Sequence, residues 1–404
     1  MSPFVHPPRP RLRRRVLAVH GAVLLAVVLV GCSAGDTETA SSPGSPAAPP
    51  GSAGIPGSVW VADETGNSLT VLDTAANTVA TTLTGIDGPH NVQVGRDPVT
   101  VYATSAGSDM VVAIDAATYR VIATAATGPH PAHVIEAPNG RVYVANSDDG
   151  TVSVFQGQSL LPLGRIDLGG MPHGLRAAAG GSVIVVANHA AGALDVIDAQ
   201  SDRVRFSVPV GQGPAQVAVS ADGRYAYTGL TKPAAVVKVD LSARKVVGSV
   251  GVSAPPVQVF LTPDEARVVS ADQGTPDAPG HAASLIDTDT MTVAATVPTG
   301  AGPHGVVIDP TGRLAWVTNS YDNSVSVVDL TRQTVSATVP VGAGPNGISY
   351  SPRPPAVGAP TVALKLPAPD MDDRGQPPTH DPDDHMPAPA PTHHTEPPHE
   401  SGHH

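Results

Sequence analysis

Cysteine is almost absent. Cys32 is the only one in 404 residues, which excludes an intrachain disulfide framework, a CxxCH haem attachment and a multi-cysteine zinc site. Aromatic residues are scarce at 3%, so a core must be built mainly from Val, Ile, Leu and Ala. No long stretch repeats apolar residues at helical spacing, which argues against a helical domain. Cations are few and clustered at one end. The net charge is −12, yet the first fifteen residues hold five arginines and no acid. Without those five the remaining chain stands at −17, a sign that argues against nucleic acid or an anionic lipid surface as a main partner. There is no H-E-x-x-H and no Walker loop. Gly31-Cys32-Ser33-Ala34-Gly35 fits G-x-S-x-G by letters alone, without the strand–turn–helix context that chemistry needs. Gly300–Gly305 and Gly342–Gly347 fit G-x-G-x-x-G, but each leads into a strand and not the helix that would present its N-terminus to a pyrophosphate.

Glycine (41) and proline (43) are plentiful. They punctuate many short β-branched runs, which is the pattern of strands joined by turns. The N-terminus reads differently. Arg9 to Arg15 precede an apolar run from Val16 to Val30, too short for a comfortable transmembrane helix and shaped like a signal peptide. The run ends Leu29-Val30-Gly31-Cys32, which resembles the bacterial lipobox, in which the cysteine is acylated and becomes the first residue of the mature chain. Residues 1–31 are therefore expected to be a lipoprotein signal peptide. Residues 32–57, the acylated Cys32 and a Ser/Ala/Pro/Gly stretch, should be a flexible linker.

From Val59 the chain repeats at intervals of about forty residues. The clearest copy runs Gly302-Pro303-His304-Gly305 into Val306–Asp309, then Leu314–Asn319, Ser324–Asp329 and Val335–Pro340, four strands that we term A to D. The Gly-Pro-like start recurs at Pro89, Pro129, Pro172, Pro214, Pro255, Pro303 and Pro345. Strand C ends in Asp at Asp73, Asp115, Asp198, Asp240, Asp287 and Asp329. These carboxylates are expected to cap the C–D turn by accepting backbone N–H groups two residues on. The first copy lacks strand A, and a lone strand A, Gly347–Tyr350, follows the last copy. Joined, they complete one blade. The expectation is an all-β, seven-bladed β-propeller of four-stranded antiparallel blades over residues 58–351, closed by N- and C-terminal strands that share a blade. "WVTN" at 316–319, "YVAN" at 143–146 and the GPHG…D-P-x-G-R grammar resemble the YVTN family of surface propellers. The resemblance implies the fold and an extracytoplasmic place, here the outer face of a bacterial membrane. It implies no single chemistry.

Blade topology puts the D–A connections and B–C loops on one face. The D–A connections carry His90, His130, His173 and His304, with Asn346 at the same position of the closing blade and Ala215 and Pro256 in the other two. His, Asn, His, His, His thus form an arc at the mouth of the channel. The B–C loops add polar groups such as Asn146, Asn188, Asp272 and Asn319, and blade 6 carries an insertion from Gln273 to His281. Neutral imidazoles among carboxylates suit Zn²⁺ or Cu²⁺, while repetition alone also explains a histidine in each turn. His133, just inside strand A of the third blade, is the weaker candidate.

Residues 352–404 are Pro-rich and acidic and are expected to be disordered. Seven histidines fall there: His380, His385, His393, His394, His399, His403 and His404. Interleaved with Asp and Glu, they suit loose capture of a divalent metal. Two functional readings stay open. One is a membrane-anchored binding or scaffold lipoprotein whose face takes a protein, a glycan or a metal. The other is a propeller enzyme, lactonase-like or quinoprotein dehydrogenase-like, with its site at the histidine-bearing mouth. An enzyme should gather unique, partly buried polar residues at one channel mouth.

Overall fold

The structure, a computed structural model, describes residues 55–366. Cys32 and the seven tail histidines lie outside the described residues. Seven sheets form the seven blades of one propeller. Blade 1 is the shared one: strand A is Pro345–Ser351, and strands B, C and D are Ser58–Asp63, Ser68–Asp73 and Thr78–Thr84. Strands A of blades 2 to 7 are Val92–Val94, Pro131–Glu136, Pro172–Ala178, Val217–Val219, Val259–Leu261 and Pro303–Ile308. Each A strand touches the A strands of the two neighbouring blades, so the seven make a closed inner ring.

The capping aspartates do what their position predicts. Ala75 N–H donates to Asp73 Oδ1 at 2.8 Å, Ala117 to Asp115 at 2.9 Å and Gln200 to Asp198 at 2.9 Å; in blade 5 the donor is Ala243, three residues past Asp240. Every C–D turn then places a non-glycine residue in the left-handed region, from Asn77 to Gln333, at φ of +51° to +57°. A type I turn followed by such a residue is the usual three-to-five-residue hairpin connection. Blade 3 lacks the Asp and uses a 3-10 turn, Gly157–Ser159, to reach the same conformation at Leu160.

Among the described residues the core divides into seven apolar clusters, one between each pair of neighbouring blades. The chain's two tryptophans flank the closing blade. Trp60 packs on the blade 2 side, edge-on to Tyr119 at 5.7 Å, and Trp316 on the blade 7 side, stacked on Tyr350 at 5.6 Å. Large rigid apolar groups are thus placed where only non-covalent contacts join the ends of the chain.

The ordered structure runs beyond residue 351. Thr361–Ala363 pairs in parallel with strand D of blade 1, Val362 opposite Leu83, making a fifth strand. Val362, Leu364 and Leu366 pack on the cluster between blades 1 and 2, and Ala356 N–H donates to the Tyr119 hydroxyl at 3.0 Å. The boundary expected at 351 is therefore too early by fifteen residues on the described span ending at 366. The alternation Val362-Ala363-Leu364-Lys365-Leu366 has a strand's period, and it covers an edge that would otherwise stay open.

Candidate metal centre at the channel mouth

Strand register decides which side chains meet. Pro172 pairs with Asn188 and Leu175 with Val186; Pro303 pairs with Asn319 and Val306 with Val317. In blade 3 the corresponding pairs are Pro131 with Asn146 and Val134 with Val144. The anchor of blade 3 is thus Pro131, not Pro129, and Ala132, not His130, is the counterpart of His173 and His304. His130 is exposed on the rim at φ +53°, its backbone N–H donating to Asp109 Oδ1 at 2.9 Å and its ring 6.1 Å from that of His90. His133 takes an interior place one position further along and is fully buried. Blade 6 slips by one: Val259 pairs with Ser270, which makes Pro256 the anchor and Val257 the counterpart. The insertion in that blade lengthens its B–C hairpin, Arg267–Thr275 with Ala278–Asp287.

Three histidines converge. One ring nitrogen from each of His90, His133 and His173 lies within 4.8 Å of the others. His304 sits beside them, its ring 6.3 Å from that of His90. The room comes partly from glycine. A Cβ on Gly174 would collide with the Gln216 amide oxygen, and one on Gly347 would lie 2.5 Å from the Asn91 amide. The glycine after each His or Asn in blades 4 and 1 thus lets a neighbouring side chain cross.

The hydrogen bonds fix the proton on each ring. His173 Nδ1 lies 2.9 Å from the Ala215 carbonyl, which only accepts, so Nδ1 carries the proton and Nε2 presents a lone pair. His90 Nδ1 lies 3.0 Å from Glu64 Oε1. Burial alone would raise the Glu64 carboxyl, but the hydrogen bond and charge of His90, the Asn346 amide and the charge of His304 hold it down to about 2. Glu64 is therefore a carboxylate acceptor for a proton on His90 Nδ1; in the neutral ring His90 Nε2 is a second lone pair, and in the protonated ring it donates to His173 Nε2. The two Nε2 atoms lie 3.2 Å apart, lone pair against lone pair when both rings are neutral. A proton or a metal ion resolves that opposition. With metal–nitrogen bonds of about 2.0–2.1 Å, a 3.2 Å separation gives an angle at the metal of about 100°, within the tetrahedral range. A histidine ligand whose far nitrogen donates to a carboxylate or carbonyl is the usual metal-binding arrangement.

His133 is set the other way. Gln216 Oε1 accepts the Val217 N–H at 2.8 Å, so its Nε2 donates to His133 Nδ1 at 3.1 Å and the ring proton lies on Nε2. That N–H is buried without a partner. It can donate to a water or anion on the metal. Reversal of the Gln216 amide would move the proton and make His133 the third ligand. Burial pushes His133, His173 and His304 below the ordinary imidazole range, His304 to about 3, aided by the charge of neighbouring rings. All three stay neutral at pH 7, the form that binds metal.

Other polar residues named by the sequence serve the blades themselves. Asn146 Nδ2 donates to Thr151 and Ser153, Asn319 Nδ2 to Ser324 and Ser326, and Asp272 accepts from Ser253, Ser270 and Ser284. These tie strand B to strand C. Glu64 and Gln216 went unnoticed. Glu64 is the one carboxylate among seven residues that immediately follow strand B, and reading the repeats column by column is the signal that finds it.

The family model of the YNCE-like β-propeller matches residues 74–268. No curated protein matches the sequence. Among solved structures the fold resembles hydrazine synthase of Kuenenia stuttgartiensis, with TM-score 0.61 and 22% identity over 67% of this chain and 91% of that one. It also resembles a functionally unknown protein from Desulfotomaculum acetoxidans, with TM-score 0.65 and 12% identity over 74% and 99%. A putative 6-phosphogluconolactonase from Bacteroides uniformis gives TM-score 0.61 and 18% identity over 72% and 98%. At these identities the likeness is one of fold alone. The chain is a seven-bladed β-propeller, and the family match over residues 74–268 agrees with the YNCE/YVTN type.

Proposed function

We propose that this chain is a lipid-anchored propeller on the extracytoplasmic face of a bacterial membrane that binds a divalent transition-metal ion, Zn²⁺ or Cu²⁺, at His90 and His173, with His133 beside it. One observation carries the reading: the Nε2 atoms of buried His90 and half-buried His173 lie 3.2 Å apart, and each ring donates from Nδ1 to an acceptor behind it. Glu64 and His133, which no other blade repeats at their positions, converge on that spot, and repetition of a turn motif does not account for them. The Arg9–Arg15 stretch, the apolar run and Cys32 support the anchor. The tail histidines, from His380 to His404, would gather metal near the membrane and raise its local concentration.

Calorimetric titration of Zn²⁺ and Cu²⁺ into the full chain in detergent tests this. The comparison is with a His90→Ala/His173→Ala variant and with a variant carrying alanine at all seven tail histidines. One tight site that survives the tail change and disappears with the channel pair supports the reading. Binding that follows only the tail, or none at all, overturns it and leaves a protein or glycan as the ligand to seek. Mass spectrometry of Cys32 tests the anchor. Hydrolysis of a lactone by the metal-loaded protein would move the reading to the enzyme class.

A further inference from the structure

Deeper in the channel, strand A of blade 4 carries a cation that nothing in the metal reading uses. Leu175 is buried in the cluster between blades 3 and 4, so strand alternation turns Arg176 into the channel. The guanidinium reaches across to blade 6, where its carbon lies 5.8 Å from the centre of the Phe260 ring. One Nη donates to the Leu175 carbonyl at 3.0 Å. No carboxylate lies within ion-pair distance of it among the described residues. Burial pulls its pKa down to about 10, and it remains a cation at pH 7. The same register places Ile135, Ala218, Phe260 and Val307 at its level, an apolar wall. The polar residues at that level are committed: Gln93 Nε2 donates to the Val94 carbonyl, and Ser349 Oγ accepts the Val94 N–H.

Arg176 is half-buried, and all but one of its donors stay open to the channel, where an anion can take them up. Its planar fork matches the two oxygens of a carboxylate. The hydrocarbon wall favours an organic anion over a hydrated inorganic one. We propose that the channel below the histidines binds a small organic carboxylate, paired to Arg176 with its hydrocarbon part against Phe260, Ile135 and Val307. The assignment stands without the metal, since no histidine nitrogen is needed to hold the anion.

The test is calorimetric titration of butyrate, acetate and inorganic phosphate into the full chain in detergent with a chelator present. The expected result is saturable butyrate binding, about tenfold tighter than acetate because of two further buried methylenes, and weaker phosphate binding. Arg176→Met should lose the butyrate site, and Arg176→Lys should weaken it at least tenfold because the fork is gone. Without anion, Arg176→Met should melt no lower than the wild type, since it removes an unpaired charge from an apolar wall. A butyrate isotherm unchanged in Arg176→Met, tighter phosphate binding, no saturable butyrate binding, or a lower melting point for Arg176→Met would each overturn the proposal.

Discussion

His304 offers a direct measure of how dry the channel mouth is. Its ring is buried, its Nδ1 has no hydrogen-bond partner, and burial together with the charge of His90 holds its pKa at about 3. In the unfolded chain the same ring titrates near 6.5. Between those values the unfolded chain binds a proton that the folded chain refuses. Stability therefore falls as the pH drops below 6.5 and levels off near 3. The loss amounts to about 0.2 kcal/mol at pH 7 and about 2 kcal/mol at pH 5. His304→Asn, which installs the side chain blade 1 carries at Asn346, removes that titration. The variant should be weaker at pH 7, because a ring is lost, but should resist acid better. Urea denaturation of both proteins with a chelator present, at pH 7 and pH 5, reads the difference. The wild type should lose about 2 kcal/mol more than the variant over that interval. Equal losses would mean that the folded channel protonates His304 freely, and the account of a dry, neutral cluster would fail.

Three further outcomes follow from the same contacts. Asp63 is fully buried, and burial pushes its carboxyl up to about 6 despite hydrogen bonds from Thr70 and Ser68; above pH 6 the fold carries the cost of a buried carboxylate. Asp63→Asn, matching Asn146, Asn188 and Asn319 in other blades, should therefore gain about 3 kcal/mol at pH 8 and nothing near pH 3, measured by denaturant melts. Trp316→Ala empties the seam between blades 7 and 1 and should cost about 3–5 kcal/mol, seen as a lowered melting temperature. Gln216→Glu replaces an amide donor with a carboxylate that accepts the His133 Nδ1 proton, turning Nε2 toward the metal. Zn²⁺ affinity should rise about tenfold or more, and an unchanged isotherm would keep His133 out of the coordination sphere.

The repeat carried most of the fold into view. Asp73, Asp115 and their counterparts mark the C–D turns, and Gly347–Tyr350 pairs with the first strand as its missing neighbour. The site was harder to read, because a repeat hides what departs from it. Gly128-Pro129-His130-Pro131-Ala132-His133 offers two prolines as an anchor, and the motif points to the first while strand pairing uses the second. That slip demoted His133, which is buried among the rings, while His130 lies beside His90 from the rim. Glu64 reaches His90 from the preceding blade and Gln216 reaches His133 from two blades on, contacts that exist only once the blades are arrayed round the channel. The strand at Thr361–Ala363 was masked by surrounding prolines, although its apolar alternation is plain once a strand edge is seen beside it.

The most direct test of the metal reading is anomalous diffraction from crystals of the full chain equilibrated with Zn²⁺, recorded on either side of the zinc edge. The account predicts a peak about 2.0–2.1 Å from Nε2 of both His90 and His173, the Glu64 and Ala215 contacts to their far nitrogens intact. Zinc found only elsewhere, with those two nitrogens still bare, would contradict it.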